Sequence, residues 1–305
     1  MGASPVTPAR TRPRGTVACA VVAVLSVLAF ATTFLFRDAE AGQVLLIDVG
    51  LFNVPYLAAA VALWRTGGVP GAGGLPWRLV ATALVSTVAG NAYYTLVAAH
   101  QDAYVSLADL GYLAFYPLGY VAVMLLLRQR VRPWRTIMWF DGVVAGLGAA
   151  AVASLLLAPG LVMSDVPLGA ALVYLAYPVN DLLLVLVVVG GLSLVPFRQH
   201  TDLLAVAAGL TTWFVADVLF IRAEAGTSYV EGGLVDLVYV VAAALFVVPA
   251  LLARPRPPAA AAPGAGASIV LPVTMVLVSL VLIGISLREA GTGLSGWLAL
   301  ASVAV

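Results

Sequence analysis

Apolar stretches of 18 or more residues recur along the whole chain, and no other feature limits its fold as strongly. A helix of that length crosses about 30 Å of hydrocarbon. Because lipid offers no hydrogen-bond partners, each crossing segment must satisfy its backbone internally, as an α-helix does. Charged residues make up only 10% of the chain, too few to cover a soluble surface. We therefore expect an all-α fold, a polytopic transmembrane helical bundle embedded in a lipid bilayer.

The hydropathy pattern predicts nine complete spans and the start of a tenth. The nine lie at about residues 16–36, 43–64, 78–99, 105–127, 136–158, 168–194, 202–221, 232–253 and 268–287, and the tenth begins near Ser295. As a helix, the residues from Ser295 onward would cross only about half of a bilayer. We therefore expect this sequence to be the front of a longer protein.

The predicted spans divide the chain into four parts. Residues 1–15 form a basic N-terminal tail, and residues 16–253 form an eight-helix membrane domain. Residues 254–267 form a linker of low complexity, rich in proline, alanine and glycine. Residues 268–305 hold the ninth helix and the incomplete tenth.

All 15 basic residues are arginines, and their positions predict how the chain is oriented. If the N-terminus lies inside, the inner segments hold twelve arginines, and the outer segments hold only Arg37, Arg222 and Arg288. An excess of this kind is typical of cytoplasmic segments. We expect a multi-pass protein of the cell inner (plasma) membrane, with its N-terminal tail and its linker in the cytoplasm.

An internal similarity suggests that the bundle contains a repeat. Residues 91–130 resemble residues 217–256 at offsets of 126 to 127, and four predicted helices separate the two copies. This spacing predicts a parallel four-plus-four duplication, with chance similarity among apolar helices as the alternative. Pairing Asp48 with Asp181 requires a different offset of 133. Three pairs carry the similarity: Asn91 with Asp217, Asp109 with Asp236, and Tyr112 with Tyr239.

Six aspartates fall within predicted spans: Asp48, Asp109, Asp141, Asp181, Asp217 and Asp236. An ionised carboxylate in a span costs several kcal/mol, so each needs a partner, water or a proton. Four of the six lie near helix N-terminal ends, where the dipole and free N–H groups favour a carboxylate, and these are interpreted either as end anchors or as functional groups. Asp217 lies near a helix C-terminus, and Asp181 lies near mid-span beside Asn180. For these two the alternatives are a ligand, ion or signalling role and an interhelical hydrogen bond.

Aromatic residues share helix faces with several of these aspartates. Tyr112, Tyr116 and Tyr120 follow Asp109 at spacings of three and four, as Asp181 follows Tyr174 and Tyr177, and Trp213 lies four residues before Asp217. Such faces predict a pocket that opens outward, with interfacial anchoring of the aromatic rings as the alternative. The candidate ligand-binding or signalling residues are Asp109, Tyr112, Tyr177, Asn180, Asp181, Asp217 and Asp236.

Signals for catalysis, metals and cofactors are missing from the sequence. His100 and His200 fall in loops on opposite sides of the predicted membrane, and Cys19 is the single cysteine, which excludes an internal disulfide. Phosphate-binding and zinc-protease motifs do not occur. The net charge of +1 gives no indication of a nucleic-acid partner. We expect this chain by itself to have no catalytic residue, no metal and no cofactor.

Three stretches carry a resemblance to a known family: WFDGVVAGLGAAAVASLLLAP (139–159), LAYPVNDLLLVLVVV (175–189) and FVADVLFIRAEAGTSYVEGGLVDLVYVVAAAL (214–245). They resemble the N-terminal membrane region of actinobacterial GGDEF/EAL proteins, which make or break cyclic di-GMP. The resemblance covers most of residues 78–305, and its most specific pieces are the YPxND, VAD and GGLVDLVY motifs.

The resemblance implies a membrane sensor or anchor in front of a cytoplasmic diguanylate cyclase or phosphodiesterase. The GGDEF and EAL signatures themselves do not occur here, so no catalytic residue carries over. The resemblance does not identify a ligand. We expect an unknown small extracytoplasmic or membrane ligand, and a homodimer formed through the missing output domain. The alternative function is a stand-alone transporter or permease that uses Asp181 and Asp217 as mid-membrane sites.

Overall fold

The computed structural model describes residues 14–33, 36, 44–69, 73–100, 104–130, 167–192, 200–225 and 228–253. Within these ranges every regular element is helical and none is a strand. A π-helical turn, Leu46–Leu51, leads into α2, and a 3₁₀ turn, Ala98–His100, follows α3. The α-helices are α1 Arg14–Thr33, α2 Phe52–Gly67, α3 Gly74–Leu96, α4 Ala108–Leu113, α5 Phe115–Arg128, α6 Leu168–Leu192, α7 Thr201–Ala225, α8 Leu234–Leu245 and α9 Val247–Leu252.

Seven helical segments among the described residues are long and apolar enough to cross a membrane. They are Arg14–Thr33, Leu46–Gly67, Gly74–His100, Ala108–Arg128, Leu168–Val189, Thr201–Glu224 and Leu234–Leu252. They correspond to the first four predicted spans and to the sixth, seventh and eighth. The all-helical architecture with these apolar segments fits the predicted helical membrane bundle. The count of seven differs from the predicted nine or ten. The predicted spans 136–158 and 268–287, the tenth from Ser295 and the linker 254–267 lie outside the described residues.

The helices α5 and α6 run in the same direction, whereas the other successive spans of the described chain are antiparallel. The hydroxyl of Tyr116 donates to the backbone carbonyl of Tyr177. One turn further along both helices, the hydroxyl of Tyr120 donates to the backbone carbonyl of Asn180. A span between α5 and α6, as the sequence predicts, requires this parallel arrangement.

Prolines account for most of the breaks in these helices. A proline has no N–H to offer the carbonyl four residues before it, so that carbonyl loses its helical partner. α6 nevertheless continues through Pro178, so the carbonyl freed there does not interrupt the helix. Three helical segments do end four residues before a proline: α4 at Leu113 before Pro117, α8 at Leu245 before Pro249, and the π-helical turn at Leu51 before Pro55.

The interior of the bundle is packed with large side chains, and its outer surface is apolar. Trp77, Tyr56 and Leu63 are fully buried between the helices. On α1, six apolar side chains are exposed by 40% to 59%: Val17, Val21, Val22, Val24, Leu25 and Leu28. In water such a surface would associate with other molecules, whereas hydrocarbon is its ordinary solvent. These exposed apolar side chains give α1 a face suited to lipid.

The two ends of the bundle differ in charge. One end, here called the arginine end, carries Arg14, Arg65, Arg78, Arg128 and Arg130 where α1 and α3 begin and where α2 and α5 end. The opposite end, here called the acidic end, carries Asp48, Asp109, Glu224, Glu231 and Asp236, together with the exposed Arg222. Most basic and acidic side chains at the described ends are therefore separated by the length of a span. The exceptions are Arg222 at the acidic end and Asp202, which pairs with Arg130 at the arginine end.

Candidate functional site

A cavity of about 530 Å³ lies at the acidic end of the bundle, and we call it the pocket. Side chains from every described span except α1 line it, together with the loops that follow α3 and α7. The volume lies within the range of about 300–1,000 Å³ that small-molecule sites occupy. Nine of the chain's 11 tyrosines and six acidic residues line the pocket, and no arginine or histidine is among its described lining residues.

Three of the lining aspartates lie in the first turn of a helical segment, and each caps it by accepting the N–H of a residue just before the segment. A carboxylate at this position accepts N–H groups that have no partner within the helix, and it faces the positive end of the helix dipole. Gly232, which donates one of these bonds, has a φ of +70° that glycine adopts without strain. The bonds are those of Asp48 with the N–H of Val44 at 2.7 Å, Asp109 with that of Ser106 at 2.7 Å, and Asp236 with that of Gly232 at 2.5 Å.

Tyrosine hydroxyls hold three of the lining carboxyl groups in place. They are donated by Tyr177 to Asp109 at 2.5 Å, by Tyr229 to Asp236 at 3.0 Å, and by Tyr239 to Asp217 at 2.5 Å. Tyr229 lies in the loop outside the spans, and burial, followed by the charge of Asp236, raises the pKa of its phenol well above the ordinary value. This hydroxyl therefore remains a neutral donor at physiological pH. The three pairs orient the acidic groups of the pocket.

The deepest part of the pocket is an aromatic cluster around Asp217. Trp213 lies one turn before Asp217 on α7, and its ring centroid is 5.6 Å from that of Tyr56 and 4.9 Å from that of Phe115. Asp217 is only 6% exposed. Its Oδ1 accepts the Tyr239 hydroxyl, and its Oδ2 is buried. The carboxyl group of Asp181 lies beside that of Asp217. The floor of the pocket thus holds a buried carboxyl group among aromatic rings.

Asn180 and Asp181 lie beneath this floor and do not line the pocket. The Asn180 side chain donates to the backbone carbonyl of Ala176 at 2.7 Å. The backbone carbonyl of Asn180 accepts the Tyr120 hydroxyl at 3.2 Å. Asp181 is 1% exposed, and its carboxyl group lies beside that of Asp217 and beside the Tyr116 hydroxyl. The polar contacts of Asn180 are thus those of an interhelical connection, whereas Asp181 adds a second buried carboxyl group below the pocket.

The pocket brings together five of the seven candidate residues from the sequence: Asp109, Tyr112, Tyr177, Asp217 and Asp236. The predicted face of α4 and α5, formed by Asp109, Tyr112, Tyr116 and Tyr120, belongs only partly to the pocket. Tyr116 lines the pocket, whereas Tyr120 lies below it. Asp141 lies outside the described residues. A ligand role for these residues remains a prediction, since burial and geometry alone do not identify an occupant.

Several lining residues were not among the sequence candidates. They include Phe52, Tyr56, Tyr94, Glu224, Tyr229 and Glu231, which come from three spans and one loop. Helical spacing groups residues on one helix, but it does not tell which helices face each other. One signal was available, namely that tyrosines and acids concentrate near the ends of spans that lie on one predicted side. Tyrosines at such positions are also ordinary interfacial anchors, so this signal did not by itself predict the pocket.

The comparisons with known proteins do not assign the chain. No protein family, curated protein or solved structure matches it. The resemblance to GGDEF/EAL membrane regions therefore rests on the sequence motifs alone.

Proposed function

We propose that this chain is a membrane sensor module that binds a small molecule in the pocket. The observation that carries the proposal is the pocket itself, in which six of the seven described spans contribute to one cavity. Three of its six carboxyl groups are already oriented by tyrosine hydroxyls, as expected of a site that is largely formed before its ligand arrives. A ligand in contact with six spans can change their packing, which is what a sensor requires.

A transporter is the second candidate, and the buried pair of Asp181 and Asp217 favours it. Transporters place such polar groups near the midplane. The packing below the pair argues for a sensor instead, because Leu126, Leu184 and Val188 are completely buried there. These side chains close the described core between the pocket and the arginine end. A sensor needs no path through that core, whereas a transporter must open one.

We also propose that the acidic end faces outward and the arginine end lies in the cytoplasm. The support is the positive-inside bias, now seen as five arginines at one end of the described bundle against one at the other. In this orientation the pocket would be reached from outside the cell, and any signal would leave through the cytoplasmic arginine end.

A parallel four-plus-four duplication is part of the proposal. Both spans in question, Ala108–Arg128 and Leu234–Leu252, begin with a capping aspartate and break four residues before a proline. Interrupted helices at corresponding positions of two halves are typical of ligand sites in duplicated membrane proteins. The pairing of Asp48 with Asp181 gains no such support, because Asp48 caps a helical segment and Asp181 lies in the middle of α6.

The proposed output is a cytoplasmic diguanylate cyclase or phosphodiesterase, active as a homodimer, and its support is the sequence motifs. The first test is the DNA downstream of codon 305, where we expect an open reading frame that continues into a GGDEF or EAL domain. If the frame stops at codon 305, with no signalling domain lost nearby, the output half of the proposal fails. The pocket half has its own test.

The pocket is tested by filling it. Thr87 lines the cavity on α3, and a Thr87→Trp substitution would occupy the space without removing an acid or an aromatic ring. The matched control is Thr82→Trp, on the exposed side of the same helix. In a thermal-shift screen of small metabolites with the purified chain in detergent, we expect ligands that stabilise wild type and Thr82→Trp but not Thr87→Trp. Ligands that stabilise Thr87→Trp equally would argue against the pocket as the binding site.

A further inference from the structure

Two carboxyl groups meet in the interior of the bundle, between α6 and α7. Asp181 and Asp217 are 1% and 6% exposed. The two helices are antiparallel and pack along their length, with Tyr174 of α6 against Ile221 of α7. This register places Asp181 about one helical turn deeper than Asp217. Because side chains lean toward the N-terminus of their own helix, the two carboxyl groups lean toward each other and come into contact.

The described surroundings of this pair contain hydroxyl groups and no basic side chain. No arginine or histidine of the described chain pairs with either carboxyl group. The hydroxyl of Tyr239 donates to Asp217 Oδ1 at 2.5 Å. The hydroxyl of Tyr116 lies beside Asp181, and it donates its single hydrogen to the backbone carbonyl of Tyr177. The titratable side chains that face the pair are five tyrosines: Tyr56 on α2, Tyr116 and Tyr120 on α5, Tyr177 on α6, and Tyr239 on α8.

Like charge prevents the two carboxyl groups from being ionised at the same time. Two carboxylates in contact repel each other strongly where water is excluded, and each also carries the cost of burying its charge. A carboxylate is an acceptor only, so an ionised pair cannot form a hydrogen bond within itself. One proton removes one of the charges and provides the missing donor. Carboxyl groups that share a buried site therefore hold one proton between them.

We infer that Asp181 and Asp217 share one proton, and that the resulting hydrogen bond joins α6 to α7 directly beneath the pocket. Asp217 is the acceptor of the pair, since the Tyr239 hydroxyl already stabilises negative charge on it. Asp181 is the protonated member and donates through its O–H. The pair is a binding site for a proton, and it requires no ligand in the pocket.

The site links protonation to the packing of a helix that lines the pocket. Trp213 and Asp217 of α7 belong to the pocket lining, whereas Asp181 of α6 lies below it. Loss of the proton would leave two negative charges in contact and would drive α6 away from α7. The inference therefore goes beyond the proposed function, because it names the proton as a second regulator of the same bundle.

Infrared spectroscopy tests the protonation directly. A protonated carboxyl group has a C=O stretching band that is separate from the bands of ionised carboxylates. At neutral pH, Asp181→Asn should remove one protonated-carboxyl band from the purified chain in detergent, because the amide replaces the O–H as donor and leaves Asp217 ionised. Asp217→Asn should remove the same band, since its amide donates to Asp181 instead. The matched control is Glu224→Gln on α7, where the carboxyl group is exposed, and it should change only the bands of ionised carboxylates.

The pH dependence of unfolding is an independent test. As the pH rises, the wild-type pair must either retain its proton or bring two charges together, so the folded state loses stability relative to the unfolded state. For one proton, the folding equilibrium constant falls by at most about tenfold per pH unit. Between about pH 6 and about pH 9, the unfolding temperature of wild type should therefore decrease more steeply than that of Asp181→Asn, whose amide does not titrate. The five tyrosines are common to both proteins, so the difference reports the pair.

The outcomes separate this inference from the proposed function. A protonated-carboxyl band that persists in both Asp181→Asn and Asp217→Asn would overturn the inference, and so would loss of that band in Glu224→Gln. Unfolding temperatures of wild type and Asp181→Asn with the same pH dependence would also overturn it. Thermal unfolding verifies that each variant is folded, and either amide variant alone suffices for the comparison. None of these measurements uses a ligand, so their failure leaves the pocket and its Thr87→Trp test unaffected.

Discussion

At the arginine end, Arg130 and Asp202 form an ion pair that is almost completely shielded from solvent. A guanidinium nitrogen of Arg130 lies 2.5 Å from Asp202 Oδ2, and the two side chains are 1% and 2% exposed. Asp202 lies in the first turn of α7, where its Oδ1 also accepts the N–H of Leu203 at 3.1 Å. The pair therefore ties the end of α5 to the start of α7. Breaking such a pair on one side is far more costly than replacing both members.

An Arg130→Met substitution tests this contribution. It should lower the free energy of unfolding by about 3 kcal/mol or more, because the Asp202 carboxylate would remain buried without its guanidinium. The double variant Arg130→Met/Asp202→Leu should recover at least half of that loss, since two apolar side chains replace the pair. Thermal or denaturant unfolding in detergent measures both effects. A double variant that is as unstable as the single one would show that the loss is due to packing and not to an unpaired charge.

At the level of elements, α3 and α4 cross with their backbones in contact. A Cβ added to Gly111 would lie 2.8 Å from the Cα and nitrogen of Gly90 and 2.8 Å from the carbonyl of Ser86. Small residues permit this approach, and in lipid close backbone packing contributes much of the association between helices. The crossing sets the position of Tyr112, whose ring also lies against Gly90, and thereby one wall of the pocket.

A Gly111→Ala substitution should force α4 away from α3. We expect it to destabilise the fold by about 1–3 kcal/mol, the usual cost of overpacking against a rigid neighbour. The matched control is Gly119→Ala in the same span, where the new methyl group would lie 3.4 Å from the side chain of Leu184, an ordinary contact. Unfolding temperatures of the two purified variants provide the comparison. Equal stability of both variants would contradict a tight crossing at Gly111.

The spans could be predicted from sequence because each one must by itself satisfy the thickness and polarity of the bilayer. The breaks after Leu113 and Leu245 followed from Pro117 and Pro249 only in retrospect, since α6 passes through Pro178 without one. Spacing within a helix shows which residues share a face. It does not show which other helix packs against that face.

The same limit explains how much of the candidate site could be predicted. Asp109 and Tyr177 were found separately, because each lies on a polar face of its own helix. Their hydrogen bond joins residues 68 positions apart and depends on how α4 and α6 pack. Tyr56 gave no signal at all, since it is surrounded in sequence by apolar residues, and only packing brings its ring to Trp213.

At the scale of the whole molecule, the separation of charge predicts the orientation in the membrane. Leu107 is 62% exposed at the acidic end, just before α4, and Gln129 is exposed at the arginine end, just after α5. Both flank the same span, so they must lie on opposite sides of the bilayer if that span crosses it. Cys19 is the single cysteine of the sequence, so a Cys19→Ala background allows one new cysteine to be followed at a time.

In intact cells, a membrane-impermeant maleimide should label Leu107→Cys and should leave Gln129→Cys unlabelled until the membrane is permeabilised. The physical reason is the positive-inside bias, which retains the arginine end in the cytoplasm during insertion. Labelling of the Cys19→Ala parent gives the background, and labelling after permeabilisation verifies that both new cysteines are reactive. The reverse pattern would put the pocket on the cytoplasmic side, where it would be exposed to metabolites made inside the cell. Labelling of both positions in intact cells would mean that the span Ala108–Arg128 does not cross the membrane.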